Sequence, residues 1–261
     1  MILLSFDIEE FDVPKECGID ISLEKQIAVS AQGTSRILNI LAQNNVKATF
    51  FCTATFAINA PHIIREIING GHEIASHGYY HSAFDVCDLA ESKKKLEELS
   101  GCKIYGYRMA RMMPVDEKEV FKAGYKYNSS INPTFIPGRY NNLNVSRTYF
   151  NKEGVIQIPA SVSPLIRFPL FWLTFHNLPQ CLYKLLALWT LKRDGYFNVY
   201  FHPWEFANIK QYKKEYNLPY IIVNNSGDNM VERIDSFIKY LKKKEFKFYT
   251  FSQFISIKNN L

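Results

Sequence analysis

Along this chain short continuous apolar runs alternate with longer stretches in which apolar residues recur at helical spacing. Residues 2–8 form the first run, a β-rich segment that predicts a buried strand ending where Asp7, Glu9 and Glu10 open an acidic cluster. Residues 11–30 show little periodicity and read as a loop over that strand's end. Residues 35–44 carry Ile37, Leu38, Ile40 and Leu41 at helical spacing, and 47–52 read as a second strand. A helix over 61–69 has Pro61 in its first turn and Gly70-Gly71 as its stop, before a third strand at 72–76.

Further on, helices are predicted over 88–99, with Asp88 as N-cap, and over 116–123, ended by Gly124. Strands are predicted at 104–108 and 125–130. Residues 132–163 hold turn signals between β-like runs at 144–150 and 155–160, and read as hairpin-like decoration. A helix at 179–193, a strand at 198–201, a long helix at 228–244, a strand at 246–250 and a helical turn or two at 251–257 complete the pattern.

Strands and helices in alternation predict an α/β fold with parallel strands covered by helices. About seven strands are parallel candidates, which fits an incomplete barrel better than an eightfold one. No linker or repeat divides the chain, and its chemically suggestive residues run from position 7 to 205, so a single domain over 1–261 is expected.

Composition narrows the classes of partner. The chain is 47% hydrophobic, ample for a core, and its net charge of +6 is mild. Part of that charge is Lys242-Lys243-Lys244, at a predicted helix end where cations complement the dipole, so no nucleic-acid partner is expected. Residues 165–191 are the most apolar, but Arg167, Pro169, His176, Pro179 and Lys184 keep every uninterrupted run below the roughly 18 residues of a membrane span. That stretch reads as core or site wall, and a peripheral membrane association is compatible with the basic charge. Cys17, Cys52, Cys87, Cys102 and Cys181 are odd in number without metal-type spacing, and are expected to be reduced and mostly buried. Residues 1–4 run straight into the acidic cluster without a secretory pattern, so a cytoplasmic location is expected.

The candidate chemistry starts from GHEIASHGYYH, residues 71–81. His77 and His81 lie four apart, a spacing that lets two imidazoles on one face of a helical turn converge on a divalent cation. A catalytic Zn²⁺ takes three protein ligands and keeps an open position, so an acidic residue from elsewhere is needed. Asp7 and Glu9 face the same way at the end of the first strand and are at hand. Arg108 ends another strand, and His202 begins His202-Pro203-Trp204-Glu205 after a third.

With Asp7, His77, His81, Arg108 and His202 at strand ends in this order, the sequence resembles the polysaccharide deacetylases, carbohydrate esterase family four. SFDIEEF resembles the family's first motif, KATFF and GHEIASHGYYH its second strand and metal-binding motif, and YGYR, YKYNSS and YFHPWE the third to fifth. The resemblance implies a distorted (β/α) barrel and metal-dependent removal of N-acetyl, or O-acetyl, groups from a bacterial glycan or its precursor.

It also implies that His77 and His81 bind Zn²⁺ or another divalent first-row metal, that Asp7 is the general base held by Arg108, and that His202 is the general acid. The third ligand is normally an Asp, here replaced by Glu9 or Glu10, and Glu9 is preferred because it shares a strand face with Asp7. Two further departures concern Asn128, where the family usually has an Asp supporting the acid histidine and Glu205 is the alternative, and residues 109–113 after Arg108. His62, His72 and His176 read as structural or surface histidines. The alternatives to the deacetylase are a weak or inactive glycan-binding barrel and a hydrolase of small cyclic amides or ureides.

Overall fold

The computed structural model of the protein describes residues 1–259. Its strands among those residues are β1 (Ile2–Ile8), β2 (Thr49–Cys52), β3 (Glu73–Ser76), β4 (Gly106–Tyr107), β5 (Tyr127–Asn128), β6 (Phe135–Ile136), β7 (Tyr140–Asn141), β8 (Phe150–Lys152), β9 (Val155–Gln157), β10 (Phe197–Phe201) and β11 (Phe248–Tyr249). The helices are α1 (Val13–Glu16), α2 (Leu23–Gln43), α3 (Ala54–Asn59), α4 (Pro61–Asn69), α5 (Asp88–Ser100), α6 (Glu117–Lys122), α7 (Trp172–Asn177), α8 (Gln180–Asp194), α9 (Tyr220–Val223), α10 (Asp228–Lys243) and α11 (Phe251–Asn259).

The main sheet runs β10-β1-β2-β3-β4-β5-β9-β8, with β11 paired to the start of β1. Every pairing along it is parallel except β8 with β9. The sheet curls into an incomplete, distorted barrel, as the strand count predicted. Its open side is bridged where Ser161 N–H donates to the Asn198 carbonyl at 2.9 Å, while the Asn198 amide nitrogen donates to the carbonyls of Ile158 and Pro159. Residues 155–157, expected to be decoration, are a parallel strand of this sheet.

Alternation along β1 separates two environments. Ile2, Leu4, Phe6 and Ile8 pack outward into the large core under the helices. Leu3 packs inward with Phe51, Ala75, Tyr127, Phe251 and Phe254, so α11 supplies aromatic rings to the barrel interior. Ser5 and Asp7 share that inner face, and α/β sites gather where such strands end.

Residues 11–30 are not a loop. Ser22 caps α2 by accepting from Lys25 N–H, and the helix starts at Leu23, twelve residues before the predicted start at 35. Its buried face includes Gln26, Ser30, Gly33 and Thr34, polar or featureless residues that interrupt the apolar spacing. Gly33 is needed there because an added Cβ would lie 1.8 Å from the Pro203 carbonyl oxygen, so α2 presses directly on the turn after His202. Phe11, Val13, Ile21 and Val29 form a second apolar cluster with Trp204.

The five thiols are free, but only Cys52 is buried. Cys17 is half-buried and Cys87, Cys102 and Cys181 are exposed, which corrects the expectation of mostly buried cysteines. Asp88 is the first residue of α5 rather than its cap, and its carboxylate accepts from Asp85 N–H at 2.7 Å. No helix among the described residues is long and apolar enough to cross a membrane.

Candidate active site and metal cluster

Asp7, Glu9, Asp12, His77, His81 and His202 line one pocket of about 440 Å³. Arg108 does not line it. Fully buried behind Asp7, its Nη1 donates to Asp7 Oδ1 at 2.5 Å and to Ser5 Oγ at 3.0 Å. Its other nitrogens donate to the carbonyl and hydroxyl of Ser129 at 3.0 Å each, and the guanidinium lies 3.9 Å from the Phe51 ring centre. Breaking a buried pair of this kind by removing one partner typically costs about 3–5 kcal/mol. The Arg108 side chain therefore acts on the pocket only through the carboxylate it fixes.

His77 follows β3, but the chain does not continue as a helical turn. Gly78 takes a φ of +88°, and the carbonyls of Gly78 and Tyr79 accept from the first N–H groups of α3, Ala54 and Thr55, at 3.0 Å each. Those bonds double the loop back so that His81 faces His77, their ring centres 5.8 Å apart. The spacing read as helical is thus met by a pinned loop.

His77 Nδ1 lies 2.9 Å from the Arg108 carbonyl oxygen, which can only accept, so Nδ1 carries the proton. His81 Nδ1 faces the carboxylate of Asp12 at 2.9 Å, and the same argument applies. Both Nε2 atoms converge on Glu9 Oε2, at 3.2 Å from His77 and 2.9 Å from His81. The three ligand atoms lie within 4.8 Å of one another. Lone pairs so close repel unless a proton or a cation lies among them. Two imidazoles and a carboxylate, each imidazole fixed through Nδ1, match the donor set and supporting contacts of a catalytic zinc centre. Trp204 Nε1–H holds the other Glu9 oxygen at 3.1 Å. Glu10 turns away, accepting from Thr53 Oγ1 at 2.7 Å.

The carboxylates and imidazoles of this cluster hold one another in their charged forms. Burial alone would raise the Glu9 carboxyl, but the charges of His81 and His202 and hydrogen bonds from His77 and His81 outweigh it and hold Glu9 well below the usual carboxylate range. Burial disfavours charge on His81, yet Glu9 and Asp12 overcome it and push His81 up to about 10. A group of side chains that binds a proton this firmly also attracts a divalent cation.

His202 follows β10 on another side of the pocket. Its Nδ1 is 2.8 Å from Glu205 Oε1, which also accepts from the His202 backbone N–H at 2.6 Å. Burial opposes the charge on His202, but Glu9, Glu205 and Asp7 outweigh it and raise its pKa. Its ring stacks on Trp204, centres 4.9 Å apart and planes 12° apart, and meets Trp172 edge-on at 5.2 Å. Asn128 is engaged elsewhere, its amide oxygen accepting from Ser130 Oγ, so the carboxylate on His202 is Glu205.

Two members of the site escaped sequence reasoning. Asp12 bridges His81 and Arg111, accepting from Arg111 at 2.9 Å, and its one visible sign was its place three residues beyond Glu9. His176, read as structural or surface, is fully buried against Glu205 at 2.7 Å. Nothing in its sequence neighbourhood announces that contact, 29 residues away.

Residues 2–110 match the family model described as polysaccharide deacetylase. A chitooligosaccharide deacetylase of Bradyrhizobium sp. (strain ANU 289) is 40% identical over 58 residues, 22% of this chain and 26% of that protein. A peptidoglycan-N-acetylglucosamine deacetylase of Bacillus cereus is 48% identical over 48 residues, 18% of each. The matched segments span less than a third of these relatives' lengths. Among solved structures, a Mycobacterium smegmatis protein assigned as a polysaccharide deacetylase superposes with a TM-score of 0.64 at 20% identity, covering 92% of this chain and 82% of the other. A carbohydrate esterase family four pseudoenzyme of Bacillus anthracis gives 0.54 at 14% identity, covering 97% and 64%. Such likenesses establish the fold, which carries enzyme and pseudoenzyme alike.

Proposed function

We propose that this chain, whose residues 2–110 match the polysaccharide deacetylase family model, removes acetyl groups from the amino sugars of a glycan by metal-assisted hydrolysis. The observation that carries this reading is the convergence of Glu9 Oε2 and the two Nε2 atoms of His77 and His81 in the pocket that also holds Asp7 and His202. Glu9, His77 and His81 would hold the ion. When bound, it would supply a Lewis acid that lowers the pKa of water and polarises the acetyl carbonyl.

The rest follows from the chain's own residues. Asp7, paired with Arg108, takes the proton of the attacking water. An amine leaves only when protonated, and His202 presents Nε2 to the pocket because Glu205 engages Nδ1. Asp12 orients His81, and Trp204 orients Glu9.

The test is acetate release from acetylated chitooligosaccharides, peptidoglycan fragments and O-acetylated glycans, with and without a chelator. Release that stops with chelator and returns with Zn²⁺ or another divalent first-row ion supports the reading. Glycans that bind and never react would replace it with a binding barrel.

A further inference from the structure

His176 and Glu205 are both fully buried, on α7 and on the turn after His202. His176 Nε2 lies 2.7 Å from Glu205 Oε2, and His176 Nδ1 lies 2.7 Å from the backbone carbonyl oxygen of Asn224. A carbonyl oxygen cannot donate, so Nδ1 bears a proton. Glu205 already accepts from the backbone N–H and the Nδ1 of His202, and a carboxylate receiving several donors stays ionised. Nε2 must then bear a proton too. An amide or hydroxyl in this place could not donate to both acceptors along one line.

We propose that His176 is a buried imidazolium acting as a positioning residue: it neutralises Glu205 from behind and so sets how tightly that carboxylate holds the proton of His202. The inference rests on His202 being the acid of the proposed reaction. The groups facing His176 are Glu205, the Asn224 carbonyl and the edge of Trp172, its ring centre 5.9 Å away. Those facing His202 are Glu205, the rings of Trp172, Trp204 and Tyr200, and the charges of Glu9 and Asp7. Within this set His176 is the cation that opposes Glu205 at the end remote from the pocket. Without it the full carboxylate charge falls on His202, whose proton is then released less readily.

Two measurements test this on the full chain. In ¹⁵N-labelled wild-type protein at neutral pH, the imidazole signal that disappears in His176→Gln is expected to show protons on both ring nitrogens; a bare Nε2 overturns the proposal. This spectrum needs no substrate, so it stands even if the deacetylase reading fails. In the activity profile, His176→Gln is expected to leave KM unchanged and to move the alkaline limb of kcat upward by about one pH unit, the scale of a nearby charge effect. An unmoved limb in a folded variant makes His176 structural only and overturns the proposal.

Discussion

Asp7, Glu9, His77 and His81 come from the ends of β1 and β3, inside the segment that matches the family model, and much of their support is backbone. The Arg108 carbonyl orients His77, the N-terminus of α3 pins the loop carrying His81, and strand alternation aims Asp7. His202 lies outside that segment and is held by side chains, the Glu205 carboxylate beside it and the Trp172 ring on α7, while His176, bonded to the Asn224 backbone carbonyl, stands behind Glu205. On the proposed reading the first side holds a geometry and a cation. The second is an electrostatic relay, and changes to it should move pH dependence more than occupancy.

The largest expected effect falls on the first side. Asp7→Asn should lower acetate release by about 10²–10⁴-fold, the range for a positioned base, while the metal content found by elemental analysis stays near that of the wild type. His77→Ala should lose both. If Asp7→Asn also sheds the ion, the base and the ligands are one structural unit rather than a base beside an independent ion site.

Asp12→Asn comes next. It keeps the shape but weakens the hold on His81 Nδ1, and supporting contacts of this type are worth about 10–100-fold in metal affinity. A competitive chelator titration measures it. The alkaline limb of activity should not move, because Asp12 makes no contact with the relay around His202.

Glu205→Gln should do the reverse, leaving metal affinity alone and shifting pH dependence. Glu205 is among the charges that raise His202, so its removal lowers the pH at which His202 gives up its proton, and the alkaline limb of kcat moves down. Stability follows the same sign. Raised in the fold, His202 contributes fully below its unfolded value of about 6.5, and that contribution fades as pH climbs through the folded value. Denaturant melts at several pH values should show the wild type losing this increment at alkaline pH and the variant lacking it.

What the sequence revealed follows the same division. Asp7, Glu9, His77 and His81 were legible because a strand's end and a short spacing are local properties, even though the helical turn imagined for the histidines is a loop pinned by α3. The start of α2 was hidden because its buried face there includes Gln26, Ser30, Gly33 and Thr34, none of them a large apolar residue, with Gly33 under the Pro203 carbonyl. His176 and Asp12 were obscure for a related reason: each matters through hydrogen bonds to residues far along the chain, and periodicity carries no trace of such bonds.

The smallest effect concerns a histidine outside both sides, and serves as their control. His72 is held neutral: burial, with Lys47 adding to it, lowers it to about 4, and its Nδ1 accepts from Ala48 N–H at 3.3 Å, a bond that protonation would break. Its sign is opposite to that of His202. Between about pH 6.5 and pH 4 the unfolded chain binds a proton at this position and the folded chain does not, so stability falls as pH falls through that window. His72→Gln can still accept from Ala48 but has no proton to gain. In metal-free protein, urea melts of wild type and variant at pH 7, 5.5 and 4.5 should therefore converge toward the acid end, with the wild type losing more. Parallel curves would mean that His72 takes up its proton at the same pH in the fold as in the unfolded chain, and that burial near Lys47 does not govern it.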